Sequence, residues 1–241
     1  MKKNKDKVAL ITGGTKGIGR GVATALLNQG YKVAITSRTS TAASHAASEL
    51  ADELEVVDMI MGVKADVRDF ESQKSAVEQV MTKWGQIDVL VANAGLGHFA
   101  NIKDLTPQQW TETIETNLTG VFYSVKASLN ALKESKGYII TISSLAGTNF
   151  FAGGSAYNAS KFGLTGFSQA IMLDLRQDDI KVTTIMPGSV ATHFNNNEPS
   201  SKDDWKIQIE DIGQMVVDLL NMNPRTLPSK VEVRPSKPPV K

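Results

Sequence analysis

Tyr157 and Lys161 are the pair of residues in this sequence best suited to proton transfer. A spacing of four residues places the two side chains on one face of a helix, one turn apart. A nearby ammonium group stabilises phenolate over phenol, so we expect Lys161 to lower the pKa of Tyr157 from its ordinary value of about 10. Such a tyrosine can give and take a proton near neutral pH. Taken alone, the pair also fits a surface tyrosine that packs along a lysine stem.

A glycine-rich turn occupies residues 12–19, between a short apolar run and the first amphipathic stretch. Gly13, Gly17 and Gly19 permit a tight turn and let a pyrophosphate approach the backbone. The N-terminus of the following helix offers unpaired N–H groups and a partial positive charge to such an anion. A purely structural βα turn is the alternative, but the strand–turn–helix context favours phosphate binding.

Short apolar runs alternate with amphipathic stretches along the rest of the chain. The apolar runs predict strands at 8–11, 33–36, 87–92, 138–142 and 181–185, another ending near 65–66, and a short one at 230–233. The amphipathic stretches predict helices at 17–29, 40–54, 70–84, 107–133 and 155–176. Because repeated strand–helix alternation produces parallel pairing, we expect an α/β fold: a single-domain, Rossmann-type, doubly wound parallel sheet with helices on both faces.

The whole chain, 1–241, is predicted to form a single dinucleotide-binding and catalytic domain, since no internal repeat or linker interrupts it. Residues 1–6 and 235–241 are expected to be flexible tails. Residues 193–222 are expected to supply a substrate loop and a helix, with an irregular, mobile stretch at 195–204 and the helix beginning near Asp203.

The composition argues against several classes of function. The formal charge is +1 with acids and bases interspersed, so nothing favours nucleic acid or an acidic membrane surface as a partner. The absence of cysteine rules out thiolate metal sites and cysteine nucleophiles, and it fits a cytoplasmic location. No stretch approaches the roughly twenty apolar residues of a membrane span. The three histidines lack metal-ligand spacing, so no metal is expected.

The turn at 12–19 resembles the T-G-x-x-x-G-x-G segment of the short-chain dehydrogenase/reductase family. Further motifs of that family follow in the same order over residues 8–192: Asp66-Val67, Asn93-Ala94-Gly95, Asn117, Ser144, Tyr157 with Lys161, and Pro187-Gly188. Each motif is weak alone, but their order and spacing together identify the chain as a member of the family.

The resemblance implies four catalytic residues. Ser144, thirteen residues before Tyr157, is expected to hydrogen-bond the substrate carbonyl, and this spacing favours it over its neighbour Ser143. Tyr157 is expected to protonate the carbonyl oxygen as hydride arrives from the nicotinamide. Lys161 lowers the tyrosine pKa and holds the nicotinamide ribose, while Asn117 steadies a water that links Lys161 to solvent.

The choice of cofactor follows from the charges after the second strand. An NAD site places an acid there to bind the ribose 2′-hydroxyl. Here the position is Ser37, followed by Arg38, and no acid occurs between 31 and 45. Arg38 can bind a 2′-phosphate through a charge-assisted fork, and Lys16 adds a second cation. We therefore predict NADP(H).

The remaining cofactor contacts extend from the glycine turn to the segment after the sixth strand. By resemblance, Asp66 and Val67 lie beside the adenine, although Asp66 also fits the role of a helix cap. The full set of expected cofactor contacts is Gly13, Thr15, Lys16, Gly17, Ile18, Gly19, Ser37, Arg38, Asp66, Val67, Asn93, Ala94, Gly95, Tyr157, Lys161, Pro187, Gly188, Val190 and Thr192.

The predicted activity is NADPH-dependent reduction of a small-molecule ketone or aldehyde, with Tyr157 as the proton donor. A 3-oxoacyl-[acyl-carrier-protein] reductase and a non-catalytic NADP(H)-binding sensor are the alternatives. The glycine-rich C-terminal strand that often contributes to the tetramer interface of relatives is replaced by a different segment at 227–235. A homo-oligomer is expected, with dimer and tetramer both open.

Overall fold

The structure, a computed structural model, describes residue 4 and residues 6–238. Within that part of the chain the strands are β1 (Val8–Ile11), β2 (Lys32–Ser37), β3 (Ile60–Lys64), β4 (Val89–Ala92), β5 (Tyr138–Ile142), β6 (Lys181–Pro187) and β7 (Lys230–Val233). The α-helices are α1 (Gly17–Asn28), α2 (Ser40–Leu54), α3 (Phe70–Trp84), α4 (Pro107–Ile114), α5 (Gly120–Ser135), α6 (Ser155–Leu175) and α7 (Ile209–Asn221).

The strands form one parallel sheet in the order β3-β2-β1-β4-β5-β6-β7. The order reverses where β4 pairs with the other side of β1, which makes a topological switch point at the carboxyl ends of these two strands. Ligands of open α/β sheets bind in the crevice outside such a point. The predicted doubly wound parallel sheet is therefore confirmed.

Alternate residues of β1 face two separate helical layers. Ala9 and Ile11 lie in a core shared with α1, α2 and α7, whereas Val8 and Leu10 lie in a core shared with α3, α5 and α6. Because both faces of the strand are covered, its residues are apolar without alternation, as is usual for a parallel sheet. The two layers leave the carboxyl edge of the sheet as the place where a site can form.

Helix capping follows the sequence signals. Asp69 caps α3 by accepting hydrogen bonds from the backbone N–H groups of Glu71 and Ser72 at 3.0 and 3.3 Å. Thr106 and Gln109 form a reciprocal capping box at the start of α4, with proline at the first helical position. These contacts satisfy backbone donors that a helix N-terminus otherwise leaves unpaired.

Several predicted boundaries were wrong, and three of the differences are informative. The helix predicted at 107–133 is split by a π-helical turn, Glu115–Thr119, between α4 and α5. The strand predicted at 87–92 begins only at Val89. The helix predicted to begin near Asp203 begins at Ile209, because Asp203 belongs to a short 3-10 turn and a second capping box, built by Gln208 and Asp211, starts α7.

The C-terminal segment completes the sheet. β7 pairs with β6, which confirms the short strand predicted at 230–233. Of the two predicted tails, residues 1–3, 5 and 239–241 lie outside the described residues, while 235–238 contain no helix or strand. Among the helices that the structure describes, none combines the length and the hydropathy that crossing a membrane would require.

Candidate active site

The glycine turn joins β1 to α1 at the switch point. Gly13 and Gly17 have φ values of +63° and +56°, a region that glycine enters without steric cost. A Cβ on Gly19 would lie 2.5 Å from the carbonyl oxygen of Gly13, so a larger residue does not fit. Lys16 is the N-cap of α1 and makes no side-chain cap bond, which leaves the first N–H groups of the helix to a ligand. The turn therefore fits a dinucleotide pyrophosphate.

Asn93 braces the turn from the neighbouring strand. Its Nδ2 donates to the carbonyl oxygens of Thr12 and Gly13 at 2.9 and 3.0 Å. The hydroxyl oxygen of Thr12 in turn accepts from the backbone N–H groups of Asn93 and Ala94 at 3.0 and 3.1 Å. Asn93 thus positions the turn through its own side chain, a structural contribution that adds to the predicted cofactor contact.

Lys161 is buried beside the Tyr157 ring. Its Nζ is 5.7 Å from the ring centroid and donates to the carbonyl oxygen of Ile142, at the end of β5, at 2.9 Å. Both residues lie on α6, and the 5.7 Å distance agrees with the predicted placement of the two side chains on one face of the helix. Burial lowers the pKa of Lys161 from 10.5 to about 8, because an ammonium group loses hydration in the interior.

The predicted lowering of the Tyr157 pKa by Lys161 was wrong for this chain. Burial raises the pKa of the Tyr157 phenol, and hydrogen bonding with Ser144 opposes only part of that rise. The physical reason is geometric: the ammonium group sits over the ring and binds the Ile142 carbonyl, so desolvation of the phenolate outweighs its attraction. The phenol is therefore held in its protonated form, ready to donate.

The two adjacent serines after β5 have different surroundings. Ser143 is buried, with its hydroxyl bonded to Thr165 at 3.1 Å and to the Lys161 carbonyl oxygen at 3.3 Å. Ser144 accepts from the Ala146 N–H at 3.1 Å and faces Tyr157. The prediction that singled out Ser144 agrees with this arrangement, because the Ser143 hydroxyl is engaged by α6.

Asn117 is fully buried in the π-helical turn and ties three elements together. Its Oδ1 accepts from the Leu96 N–H at 2.9 Å, and its Nδ2 donates to the Leu96 carbonyl oxygen at 2.8 Å. The same Nδ2 donates to Ser160 at 3.0 Å, and Ser160 donates to the Tyr157 carbonyl oxygen at 2.8 Å. A π-turn re-aims side chains at functional sites, and here it directs Asn117 toward α6.

Gly95 lies between Asn117 and Lys161. A Cβ there would be 3.3 Å from Asn117 Oδ1 and 3.7 Å from Lys161 Nζ. Since Asn93, two residues earlier, contacts the glycine turn, one short loop connects the turn to the Tyr157–Lys161 pair. The motifs that the sequence analysis named separately thus converge at one edge of the sheet.

The far end of the crevice carries the residues predicted to select the cofactor. Ser37 ends β2, and Arg38 and Lys16 are exposed. Arg68 holds the Asp66 carboxylate with a 2.7 Å ion pair, which is the main cause of a lowered Asp66 pKa, with a smaller contribution from Arg38. The helix-cap alternative for Asp66 was wrong, because Asp69 takes that role.

The side chain of Val67 is buried, and that of Ile18 is partly buried. Val67 is buried against Gly120 of α5, where a Cβ on the glycine would approach its Cγ2 to 2.8 Å. Ile18, in the first turn of α1, is partly buried against the core. Their predicted cofactor contacts therefore depend on backbone atoms or on the exposed part of the side chain.

The segment after β6 returns to the glycine turn. Thr192 lies 3.5 Å from the position that a Cβ of Gly17 would take. Gly188 donates its N–H to the Val233 carbonyl oxygen at 2.7 Å, and Val190 forms a β-bridge with Ile207. Residues 187–192 are thus anchored on both sides, and Thr192 lies beside the glycine turn. Their expected contacts with the nicotinamide stay a prediction.

Sequence reasoning missed an aromatic cluster at the site, formed by Phe99, Phe151, Phe194 and Tyr157. Phe99 and Phe194 lie with their ring centroids 5.3 and 5.7 Å from that of Tyr157. Each phenylalanine follows a different strand of the parallel sheet, so the sequence indicated that all three lie near the same edge. Only the folded loops bring the rings together. His98, on the same loop as Phe99, pairs with Glu112 at 3.0 Å.

The family model described as short chain dehydrogenase matches residues 7–203. The chain therefore belongs to the short-chain dehydrogenase/reductase family. The members of this family are oxidoreductases that bind nicotinamide cofactors and act on alcohol or ketone substrates.

Individual relatives cover most of the chain. An uncharacterized oxidoreductase of Staphylococcus saprophyticus is 33% identical over 96% of this chain and 98% of its own length. The 3-oxoacyl-[acyl-carrier-protein] reductase of Salmonella typhimurium is 34% identical over 77% of this chain and 74% of its own. The structure of an alcohol dehydrogenase from Thermococcus sibiricus, complexed with 5-hydroxy-NADP, has a TM-score of 0.89 and 29% identity, over 98% and 99% of the two chains.

Proposed function

We propose that the protein is an NADPH-dependent reductase of ketones or aldehydes. The observation that carries this proposal is the buried Lys161 ammonium beside Tyr157. Gly95 lies between that ammonium and Asn117, and the loop of Gly95 also carries Asn93, which braces the glycine turn. Such an arrangement has a proton donor and a dinucleotide cradle within one crevice. All the described strands belong to one sheet, so we also infer that binding and catalysis reside in one domain, 1–241, with 193–222 as the substrate loop and helix.

The chemistry divides between the cofactor and the chain. When bound, NADPH would supply a hydride to the carbonyl carbon of the substrate, which would leave negative charge on the carbonyl oxygen. Ser144 donates a hydrogen bond to the developing oxyanion, and Tyr157 transfers its phenolic proton to that oxygen, which yields the alcohol. Lys161 keeps a positive charge beside the phenolate that results. Asn117 holds the backbone at Leu96 and, through Ser160, the first turn of α6, so it positions the donor.

The preference for NADPH rests on charge at the end of β2. Ser37 leaves room where an acid would repel a 2′-phosphate, and the exposed cations Arg38 and Lys16 lie on the adjoining loops. We expect Ser37→Asp to lower the ratio of kcat/KM for NADPH over NADH by about tenfold or more, since like charges in contact cost at least the 1.4 kcal/mol that a tenfold change represents.

Parallel assays of ketone reduction with the two cofactors measure this ratio. Ser48→Asp, which adds the same charge on the exposed side of α2, is the matched control and should leave the ratio unchanged. An unaltered ratio in Ser37→Asp would remove the basis for the cofactor assignment.

A 3-oxoacyl-[acyl-carrier-protein] reductase is the second candidate, favoured by the 34% identity to the Salmonella typhimurium enzyme of that name. A sensor without turnover is disfavoured by the intact set of Ser144, Tyr157, Lys161 and Asn117. NADPH oxidation with a panel of ketones distinguishes a reductase from a sensor, because a sensor binds the cofactor and reduces none of the ketones. The cytoplasm remains the proposed location.

We also infer a homo-oligomer that assembles through α5 and α6. Phe122 and Leu173 are 44% and 54% exposed, and Phe122 stacks edge-on with Phe167 at 6.2 Å beside an apolar groove of about 160 Å³. An apolar face of this kind marks an interaction surface. Phe122→Glu is expected to shift the mass measured by light scattering toward the monomer. Phe150→Glu, on an exposed loop between β5 and α6, should not. An unchanged mass in Phe122→Glu would reject this interface.

A further inference from the structure

The aromatic cluster surrounds the reacting group with apolar surface. Phe99 contacts three rings, with centroid distances of 5.3 Å to Tyr157, 5.8 Å to Phe151 and 6.2 Å to Phe194. These distances and the tilted or edge-on angles are those of favourable aromatic pairs. The phenol of Tyr157 is therefore part of a continuous aromatic wall.

The rings come from three loops; one hydrogen bond joins two of these loops, and another fixes the third loop internally beside Thr192. The Ala100 N–H donates to the Gly153 carbonyl oxygen at 2.9 Å, which joins the loop of Phe99 to that of Phe151. The Phe194 N–H donates to the Thr192 hydroxyl oxygen at 3.3 Å. The wall is thus held by the segments that also contact the glycine turn, so it has a defined position relative to Tyr157.

Two glycines make room for the rings. A Cβ on Gly97 would approach the Cζ atoms of Phe99 and Phe194 to 2.8 and 2.9 Å. A Cβ on Gly154 would lie 2.6 Å from the ring of Phe151. The backbone therefore approaches the aromatic faces closely, and the cluster is a packed feature of the fold.

Part of the wall remains open to solvent. Phe99 is 42% exposed and Phe151 48%, so an apolar ligand that covers them removes aromatic surface from water. Two polar contacts flank the wall: His98 meets Glu112 at 3.0 Å, and Lys206 pairs with Asp203 at 2.6 Å. The exposed surface of the wall consists of uncharged rings, so the wall favours an uncharged group over a phosphate or a carboxylate.

We propose that the preferred substrate is an uncharged ketone or aldehyde that carries an aromatic or cyclic apolar group next to its carbonyl. This ring packs against Phe99, Phe151 and Phe194 while the carbonyl oxygen meets Tyr157 and Ser144. The inference rests on the proposed reductase function and specifies the substrate class of the same site.

The test compares three carbonyl compounds with NADPH: acetophenone as the ring ketone, 2-butanone as the small ketone and acetoacetyl-CoA as the charged thioester. Wild-type kcat/KM should be at least about tenfold higher for acetophenone than for either of the others, because apolar pockets discriminate by about 10- to 200-fold per missing group. Phe194→Ala and Phe99→Ala should each lower kcat/KM for acetophenone about tenfold, mainly through KM, and alter that for 2-butanone less than about threefold.

Two further variants control for disruption of the fold. Phe194→Leu keeps most of the apolar volume and should retain more acetophenone activity than Phe194→Ala. Phe150→Ala removes a neighbouring ring that is 85% exposed and should match the wild type. The proposed substrate class would be wrong if the enzyme preferred acetoacetyl-CoA, or if Phe194→Ala and Phe99→Ala lost equal activity on all three compounds. Either result would leave the proposed reductase function valid. Failure to reduce any ketone in a wider panel would overturn the reductase function itself.

Discussion

Replacing Tyr157 with phenylalanine should abolish most carbonyl reduction while leaving the fold intact. The hydroxyl is the only group that the substitution removes, and the remaining ring keeps its contacts with Phe99 and Phe194. General acid catalysis by a positioned side chain contributes about 10²- to 10⁴-fold, so kcat should fall by about that factor. The measurement is the rate of NADPH oxidation at saturating ketone.

The control for Tyr157→Phe is cofactor affinity and thermal unfolding in the same preparation. NADPH should still bind, because the glycine turn is untouched, and the midpoint of unfolding should stay within a few degrees of that of the wild type. Tyr138→Phe is a matched variant, since it removes a buried phenol that bonds Thr183 at 2.7 Å, remote from the catalytic set, and it should keep its activity. Turnover that survives in Tyr157→Phe would contradict the proton-donor role.

Replacing Lys161 with methionine should eliminate activity without lowering stability at neutral pH. In the folded protein the pKa of Lys161 is about 8, against 10.5 in the unfolded chain. At about 1.4 kcal/mol per pH unit, keeping the charge buried costs roughly 3 kcal/mol below pH 8. Methionine removes that cost, while the Ile142 carbonyl loses a partner worth about 1–3 kcal/mol. The two effects nearly offset, so the variant should be at least as stable as the wild type.

The pH dependence of this difference follows from linkage. Between pH 8 and 10.5 the unfolded chain binds the Lys161 proton and the folded protein does not, so the wild type gains stability as pH rises. Lys161→Met lacks this gain. Any advantage of the variant in free energy of unfolding should therefore shrink over that window in denaturant titrations. A Lys161→Met protein several kcal/mol less stable than the wild type at pH 7 would show that burial of the ammonium carries no such cost.

The same pKa predicts the pH profile of the wild-type enzyme. If the positive charge of Lys161 supports proton transfer, kcat/KM for reduction should decline as pH rises through about 8, where the free enzyme loses that charge. A profile that is flat from pH 6 to 9.5 would separate Lys161 from the rate of the reaction.

Some features of the fold and of the candidate site were predictable from the sequence, and others were not. The glycine turn and the succession of strands along the chain were predictable, because apolar runs and glycine spacing indicate local structure directly. The resemblance separated Ser144 from Ser143, because Ser144 has the family's usual distance in sequence from Tyr157. The π-helical turn around Asn117 was not predictable, since its bonds to Leu96 and Ser160 join residues 21 and 43 positions apart.

Electrostatics and loop packing were the least accessible features. The four-residue spacing of Tyr157 and Lys161 was read as a lowered phenol pKa, but burial dominates, and burial depends on elements distant in sequence. The aromatic cluster likewise requires three loops to meet at the sheet edge. Each phenylalanine read alone was an ordinary apolar residue, and only their positions after successive parallel strands hinted at a shared location.

The most direct test of the central claim is a crystal structure of the wild type with NADP⁺ and a bound ketone or its alcohol. We predict that the substrate oxygen lies within about 2.6–3.2 Å of the Tyr157 hydroxyl, the range of a working acid–base contact, with the Ser144 hydroxyl on the same oxygen. A substrate oxygen that contacts neither hydroxyl, in a complex that turns over in solution, would contradict the assignment of Tyr157 as the proton donor.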